Sequence, residues 1–331
     1  MVEVAFDTSP LAQTRAGTAR HIRSLLGVLE QAPGVTLHRH AFALRGRAAV
    51  PVRDLGWYLA ALPVLARGAD VLHCPTFRAP VSSPVPLVVT FHDLAVLRHP
   101  ESFNGWTRNY SRAVLPRVAR AADRIIAVSE FTAGELVALL GVPEERVRVI
   151  PNGVGAPFTA TGDAADGDYV LAVSTLEPRK NLGRLVEGFR RADLNGCELR
   201  IVGGRGWGET GVVPSEGVKW IGEVPDEELA RLYRGARCVA YVSVYEGFGL
   251  PVLEAMACGT PVVSADLPPI KEFARGVVAV DPNSADAIAA GLGEAIARRD
   301  ELGRDGREAA SAHDWGRVAR ETVEVYREVA G

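Results

Sequence analysis

Two acids, Glu246 and Glu254, flank a Gly-Phe-Gly-Leu-Pro turn in residues 244–265, VYEGFGLPVLEAMACGTPVVSA. Carboxylates at such a spacing suit either of two chemistries. They could be the acid and nucleophile of a glycoside hydrolase, which must face each other across the scissile bond. They could instead be acceptors for ligand hydroxyls beside a turn whose amides hold an anion. Pro251 suits a first helical turn and Gly259 a C-terminal cap, so PVLEAMAC is expected as a short helix fed by Gly247, Phe248, Gly249 and Leu250. That context places Glu254 in the first turn, beside free amides, and favours hydroxyl binding over hydrolysis.

Two further loops have anion-binding character. Ser174-Thr175-Leu176-Glu177-Pro178-Arg179-Lys180-Asn181 joins a strand-like run to a helical one. Adjacent cations ahead of a helix N-terminus oppose its dipole unless an anion lies among them. Lysine is otherwise scarce, with Lys219 and Lys271 the only others in the chain, so Lys180 points to a compact ammonium for a phosphate oxygen. Near the start, Thr14-Arg15-Ala16-Gly17-Thr18 leads into a helix expected from about Ala19, and Gly17 would let backbone amides approach an anion. No loop carries a DxD-type metal motif, and no metal or other cofactor is expected.

These loops need a scaffold that brings strand ends together. VEVAF, DVLHC, PLVVTF, RIIAVS and RVRVI in the first half, and YVLAVS, ELRIVG, VKWIG, CVAYVS and TPVVSA in the second, are short Val/Ile-rich runs expected as strands. TARHIRSLLGVLEQ, NLGRLVEGFRRA and DEELARLYRGA alternate with them at helical spacing. Strand and helix in alternation predict α/β architecture, with parallel sheets covered on both faces. In such sheets ligands gather beyond the carboxyl ends of the strands.

A chain of 331 residues suits two domains. The boundary is expected at Pro151-Asn152-Gly153, because the stretch APFTATGDAADGD that follows lacks periodicity and resembles a linker. The expected units are 1–152, 153–312, and a C-terminal amphipathic helix over 313–331 that is able to return to the first domain through Trp315. Four dispersed cysteines without a CxxC pair indicate neither a zinc site nor a disulfide framework. Glu3 and Asp7 stand where a signal peptide needs a basic start, and no apolar run reaches membrane-span length; the expectation is a cytoplasmic protein without nucleic-acid partners. Residues 1–155 hold 17 Lys+Arg against 12 Asp+Glu, a net +5, whereas residues 156–331 are net −8. An anionic or membrane-surface partner for the basic half would account for the difference. The candidate surface is the helix around Trp106, Arg108, Arg112, Arg117 and Arg120.

EGFGLPVLE, with STLEPRKNL upstream, IVGGRGW and VKWIGEVPDEELARLY between them and VIPNGV at the boundary, resembles the retaining GT-B glycosyltransferases of family 4, in the branch of mannosyl- and rhamnosyl-type enzymes. FHDLAVLRHPESF and RIIAVSEFTAGEL extend the likeness into the first half. The resemblance implies two Rossmann-like domains facing a central cleft, the first holding the acceptor and the second a nucleotide sugar such as GDP-mannose. It implies a hexose, mannose- or deoxyhexose-like, moved to a glycan, lipid-linked or natural-product hydroxyl at the inner face of the membrane or in the cytoplasm. Carried over, Glu254 binds the ribose hydroxyls, while Glu246 and the amides of Gly247, Phe248, Gly249 and Leu250 meet the sugar and diphosphate. Arg179 and Lys180 neutralise the leaving group, Gly17 presents its amide to the same phosphates, and His92 stands at the sugar–acceptor junction. Base contacts are expected near Gly203 and at Glu223-Val224, and His73 is expected to be structural. Ser174-Thr175 replaces a Gly-Arg of many relatives, and Gly155 replaces an Asp. The alternatives are a nucleotide-sugar 2-epimerase of the same fold and a non-catalytic nucleotide-sugar-binding subunit.

Overall fold

The computed structural model describes residues 1–12, 17–44, 46, 49–206 and 216–331. The chain divides into two compact units, 1–153 with 315–331, and 154–314. In the first, β1 (Val2–Asp7), β2 (Val35–His40), β3 (Val71–Cys74), β4 (Leu87–Phe91), β5 (Arg124–Ala127) and β6 (Val147–Val149) form one parallel sheet in the order β2-β1-β3-β4-β5-β6. The second unit holds β7 (Tyr169–Val173), β8 (Glu198–Val202), β9 (Val218–Gly222), β10 (Cys238–Tyr241), β11 (Val262–Ala265) and β12 (Val277–Val280), ordered β12-β11-β10-β7-β8-β9.

Central strands such as β4, LVVTF, and β7, YVLAV, are buried along their whole length. Helices cover both faces of a parallel sheet, so its inner strands carry uninterrupted apolar runs. The two strands that the pattern did not single out, β2 and β12, are sheet edges. VTLHRH in β2 is half-exposed and polar at alternate positions, and VVAV in β12 is too short to stand out. Strand order reverses between β1 and β3 in the first sheet and between β7 and β10 in the second. Those two crevices are where ligand-binding loops of such sheets converge.

Residues 156–168 carry no helix or strand, yet they are not a free tether. Arg234 donates to the carbonyls of Pro157, Thr159 and Asp163, Ala165 donates its amide to Arg231, and the Phe158 ring stands edge-on to Tyr233. The stretch is therefore pinned to the helix Asp226–Gly235 through backbone carbonyls, a partnership that leaves no periodic trace in sequence.

The C-terminal helix Trp315–Ala330 belongs to the first unit. Val318, Ala319, Val323 and Tyr326 share a core with Val4 and Phe6 of β1 and Ile22 and Leu25 of the helix Gly17–Leu29. Tyr326 also closes a polar contact: its hydroxyl lies 2.6 Å from His73 Nδ1, and His73 Nε2 lies 2.9 Å from Thr90 Oγ1. Both ring nitrogens of this fully buried imidazole are thus satisfied in its neutral form. Among the described residues no helix is long and apolar enough to cross a membrane.

Burial, reinforced by the neighbouring His92, lowers the His73 pKa from 6.5 to about 3. The unfolded chain therefore takes up this proton first on acidification. Stability from neutral His73 is complete above pH 6.5 and is lost progressively down to about pH 3. Denaturant melts at a series of pH values below 6.5 should show His73 contributing about 1.4 kcal/mol of lost stability per pH unit. His73→Asn should flatten the slope by that amount, and parallel slopes in the two proteins would contradict the assignment.

Candidate active site

The loops after β7 and β10 meet at the strand-order reversal of the second sheet. After β7 the chain makes a 3-10 turn, Pro178–Lys180, and Asn181 takes a left-handed conformation before the helix Leu182–Arg191. Asn181 does not cap that helix with its side chain; its amide donates instead to the carbonyls of Val242 (3.1 Å) and Pro282 (2.7 Å). Together with the Val244 amide donating to the Arg179 carbonyl, this ties the β7 loop to the β10 loop.

Across the seam lies a buried ion cluster. Lys180 Nζ is 2.7 Å from one oxygen of Glu246, and Arg179 Nη1 is 3.4 Å from the other while donating to the Tyr245 carbonyl at 2.8 Å. Arg179 also faces Glu177 at 3.5 Å, and Lys180 lies 3.3 Å from the Tyr241 hydroxyl. Burial alone would raise the Glu246 pKa, but Lys180 and then Arg179 outweigh it and lower the value to about 2. Glu246 is thus held as an anion between the two cations. A small pocket at these strand ends is lined by Ser174, Lys180, Tyr241 and Ser243. Sequence reasoning missed Glu177, Asn181 and Tyr241. Only Glu177, an acid two residues from Arg179, carried a signal that could have revealed it.

The Gly-Phe-Gly-Leu turn leads into the helix Leu250–Ala257, and Gly249, the residue just before it, has φ 110° and supplies no side-chain cap. Only glycine adopts that backbone without strain. The Phe248 ring stacks on Phe273 at 4.5 Å and so anchors the turn, leaving backbone amides as its chemistry. Glu254 lies one turn further into the helix than expected, as its fifth residue. It is 1% exposed and accepts a hydrogen bond from the Tyr233 hydroxyl at 3.0 Å.

Gly203 follows β8 at φ 149°, and a Cβ there would lie 1.9 Å from the Ser174 carbonyl oxygen. Its requirement is thus close approach of two backbones. Its amide donates to Gly222 and its carbonyl accepts from the Trp220 indole. Glu223 is exposed and Val224 half-buried just beyond β9. Gly17 is the first residue of its helix; Thr14, Arg15, Ala16 and Trp207 lie outside the described residues.

In the first unit, His92 follows β4 and its Nε2 lies 2.9 Å from the Pro75 carbonyl. A carbonyl only accepts, so Nε2 carries the proton and Nδ1 is the free acceptor of a neutral ring. Burial lowers the His92 pKa, more than the Pro75 carbonyl and Asp93 raise it. His21 packs edge-on against His92 with ring centres 4.6 Å apart, and Trp315 packs on His21 at 5.5 Å. His21 Nδ1 is held by Asn152 Oδ1 at 2.7 Å, while its buried Nε2 has no hydrogen-bond partner. His21 was not singled out from the sequence, since a histidine on an apolar helix face shows no motif. His73 is held by Tyr326 and Thr90 and serves the C-terminal helix.

Comparison with known proteins agrees with this architecture over nearly the whole chain. Residues 159–313 match the family described as glycosyl transferases group 1, and residues 14–156 match glycosyltransferase family 4. The O-antigen chain mannosyltransferase B of Escherichia coli is 31% identical over 269 residues, which cover 72% of this chain and 70% of that protein. Among solved structures, a sucrose-phosphate synthase from Thermosynechococcus elongatus superposes with a TM-score of 0.82 at 19% identity, covering 99% of both chains. Anabaena HepE, solved with UDP and glucose, superposes at 0.76 and 19% identity over 99% of this chain and 100% of its own. Two parallel-sheet units of this order, with the mannosyltransferase relative matched over more than two thirds of its length, identify the chain as a glycosyltransferase of family 4 with the GT-B fold.

Proposed function

We propose that the protein moves a hexose, mannose or a deoxyhexose, from a nucleoside-diphosphate donor to a hydroxyl of a glycan, lipid-linked or natural-product acceptor, with retention at the anomeric carbon. The observation that carries this reading is the Arg179–Lys180 pair, held by Glu246 at the strand-order reversal beside an uncapped helix start. When the bond from C1 to the phosphate oxygen breaks, negative charge grows on the diphosphate. Fixed cations and backbone amides at that point stabilise it without reorganising, an effect worth several kcal/mol. In this reading no metal is required, because Arg179, Lys180 and the amides of the Gly247–Leu250 turn meet the charge.

Retention follows from the same charges. Glu246 is engaged by two cations and is a weak nucleophile, so the departing phosphate oxygen accepts the proton of the attacking hydroxyl while the new C1–O bond forms on the same face. Glu254 receives the ribose hydroxyls, and Glu223-Val224 and the backbone near Gly203 border the base. His92, with its Nδ1 as an acceptor, serves a sugar hydroxyl on the acceptor side. The likeness to the E. coli mannosyltransferase supports mannose, with GDP as the first nucleotide to test.

Thermal-shift measurements with GDP, UDP, dTDP and ADP and their sugars identify the donor, since ligand at about 100 times its Kd stabilises by about 2.7 kcal/mol. A selective shift with GDP-mannose, followed by transfer to an acceptor, is the expected result. Product from UDP-GlcNAc without acceptor would mark a 2-epimerase, and nucleotide binding without turnover a non-catalytic subunit. Lys180→Ala should slow transfer by about a hundredfold or more and change nucleotide Kd by less than about tenfold. Glu254→Gln, which keeps a partner for Tyr233, should weaken nucleotide binding by about tenfold in calorimetry. Wild-type behaviour in either variant would remove that residue from the site.

A further inference from the structure

Residues 49–68 form a helical segment with an aliphatic outer face. Ala49–Pro51 is an α turn, Val52–Ala61 a π-helix and Leu62–Leu65 a second α turn. The charged residues of its π-helix, Arg53 and Asp54, face inward. Asp54 is fully buried and accepts from Arg53 at 2.8 Å, Arg78 at 3.3 Å and the Trp106 indole at 2.9 Å, while Arg53 is 7% exposed. Five of its aliphatic residues face outward, Val52, Leu55, Leu59, Val64 and Leu65 at 39% to 55% exposed, while Tyr58, Leu62 and Ala66 are buried on its inner face. They are five of the nine large hydrophobics exposed among the described residues. The exposed positions between them are Gly56, Ala60 and Ala61. A helix facing water shows the reverse pattern. The wide turn of the π-helix suits the four-residue spacing of Leu55 and Leu59, which places both on the outer face.

The surroundings are cationic. The one acid of the helical segment, Asp54, is buried. Arg67 near the end of the segment is exposed, as are Arg108 and Arg112 on the acid-free helix Gly105–Ala121. Trp106, 41% exposed, opens that helix and is fastened to Asp54.

We propose that the face made by residues 52–65, with Trp106 at its edge, lies in the headgroup region of an anionic lipid bilayer. Aliphatic side chains would enter the acyl boundary, the indole would sit at headgroup level, and the arginines would meet lipid phosphates. A protein partner fits less well. Stable protein interfaces carry about one hydrogen bond per 100–200 Å², whereas the exposed side chains of this face offer no donor or acceptor. The surface differs from the one expected from sequence: the arginine helix is its rim, and the π-helical segment its centre. The proposal is independent of the donor assignment, because it concerns where the first unit resides and not what it transfers.

The test is flotation of the purified full chain with vesicles of phosphatidylglycerol and phosphatidylethanolamine, against vesicles of phosphatidylcholine alone. The wild type should float with the anionic vesicles only, and added salt should weaken the association. Leu55→Glu/Leu59→Glu should bind at least about tenfold more weakly, with nucleotide binding unchanged. The four native cysteines are buried, so a Leu59→Cys variant accepts an environment-sensitive fluorophore at that site alone. Its emission should rise on anionic vesicles, a readout that stands even if the double variant fails to fold. Failure to float, undiminished binding by a folded double variant, or an emission rise that follows protein concentration without lipid and coincides with dimerisation in sedimentation would each overturn the proposal. The last outcome would make the face a contact between copies.

Discussion

The second unit depends on one arrangement, Glu246 set between Lys180 and Arg179. Two adjacent cations in the loop after β7, close to a helix N-terminus, lie in an unfavourable field. Burying them requires a carboxylate, and Glu246, with Glu177 behind Arg179, supplies it. Such clusters contribute little net stability, because desolvation offsets much of the attraction. What this one does is fix positions. It joins the β7 loop to the β10 loop, and Asn181 reinforces the join from the other side. The two cations lower the Glu246 pKa to about 2, so its carboxylate stays ionised at neutral pH.

The first unit uses the opposite device. Its crevice-side imidazoles are neutral, desolvated and packed ring against ring, and each proton is placed by a partner: the Pro75 carbonyl for His92 and Asn152 for His21. Asn152 stands one residue before the first unit's end at Gly153, and Trp315 opens its returning helix. Both segments therefore help hold His21, and through it His92. The C-terminal helix does more than complete a core: it brings Tyr326 to His73 and Trp315 to His21.

Ten of the twelve strands were legible as Val/Ile-rich runs: the inner ones are buried on both faces and carry few polar positions, and the edges β6 and β9 keep enough Val and Ile to stand out. The two that escaped, β2 and β12, are edges, where half the surface meets water and the pattern fades. The site was legible where a residue type is costly in its local setting. Paired cations before a helix, a glycine-bracketed turn and acids beside it all stand out against helix and turn physics. Residues whose chemistry depends on distant partners did not: Asn181, Tyr241 and His21 look ordinary in sequence. The polarity of residues 52–65 was equally hidden, because an Arg-Asp pair among leucines suggests an exposed charge until the fold turns it inward.

The sequence alone determined the alternation of strand and helix, the glycines that admit left-handed or closely packed backbone, and the presence of cations and acids at strand ends. Those follow from local sterics, backbone entropy and burial periodicity, which act within a few residues. Tertiary structure alone decided that Glu246 closes on Lys180 rather than standing open, that Glu254 is met by Tyr233, and that Asp54 rather than Leu55 faces the interior. Each of these depends on desolvation and on partners dozens of residues away, as in the 66 residues between Lys180 and Glu246. Only the packed sheet order brings such groups within hydrogen-bond reach.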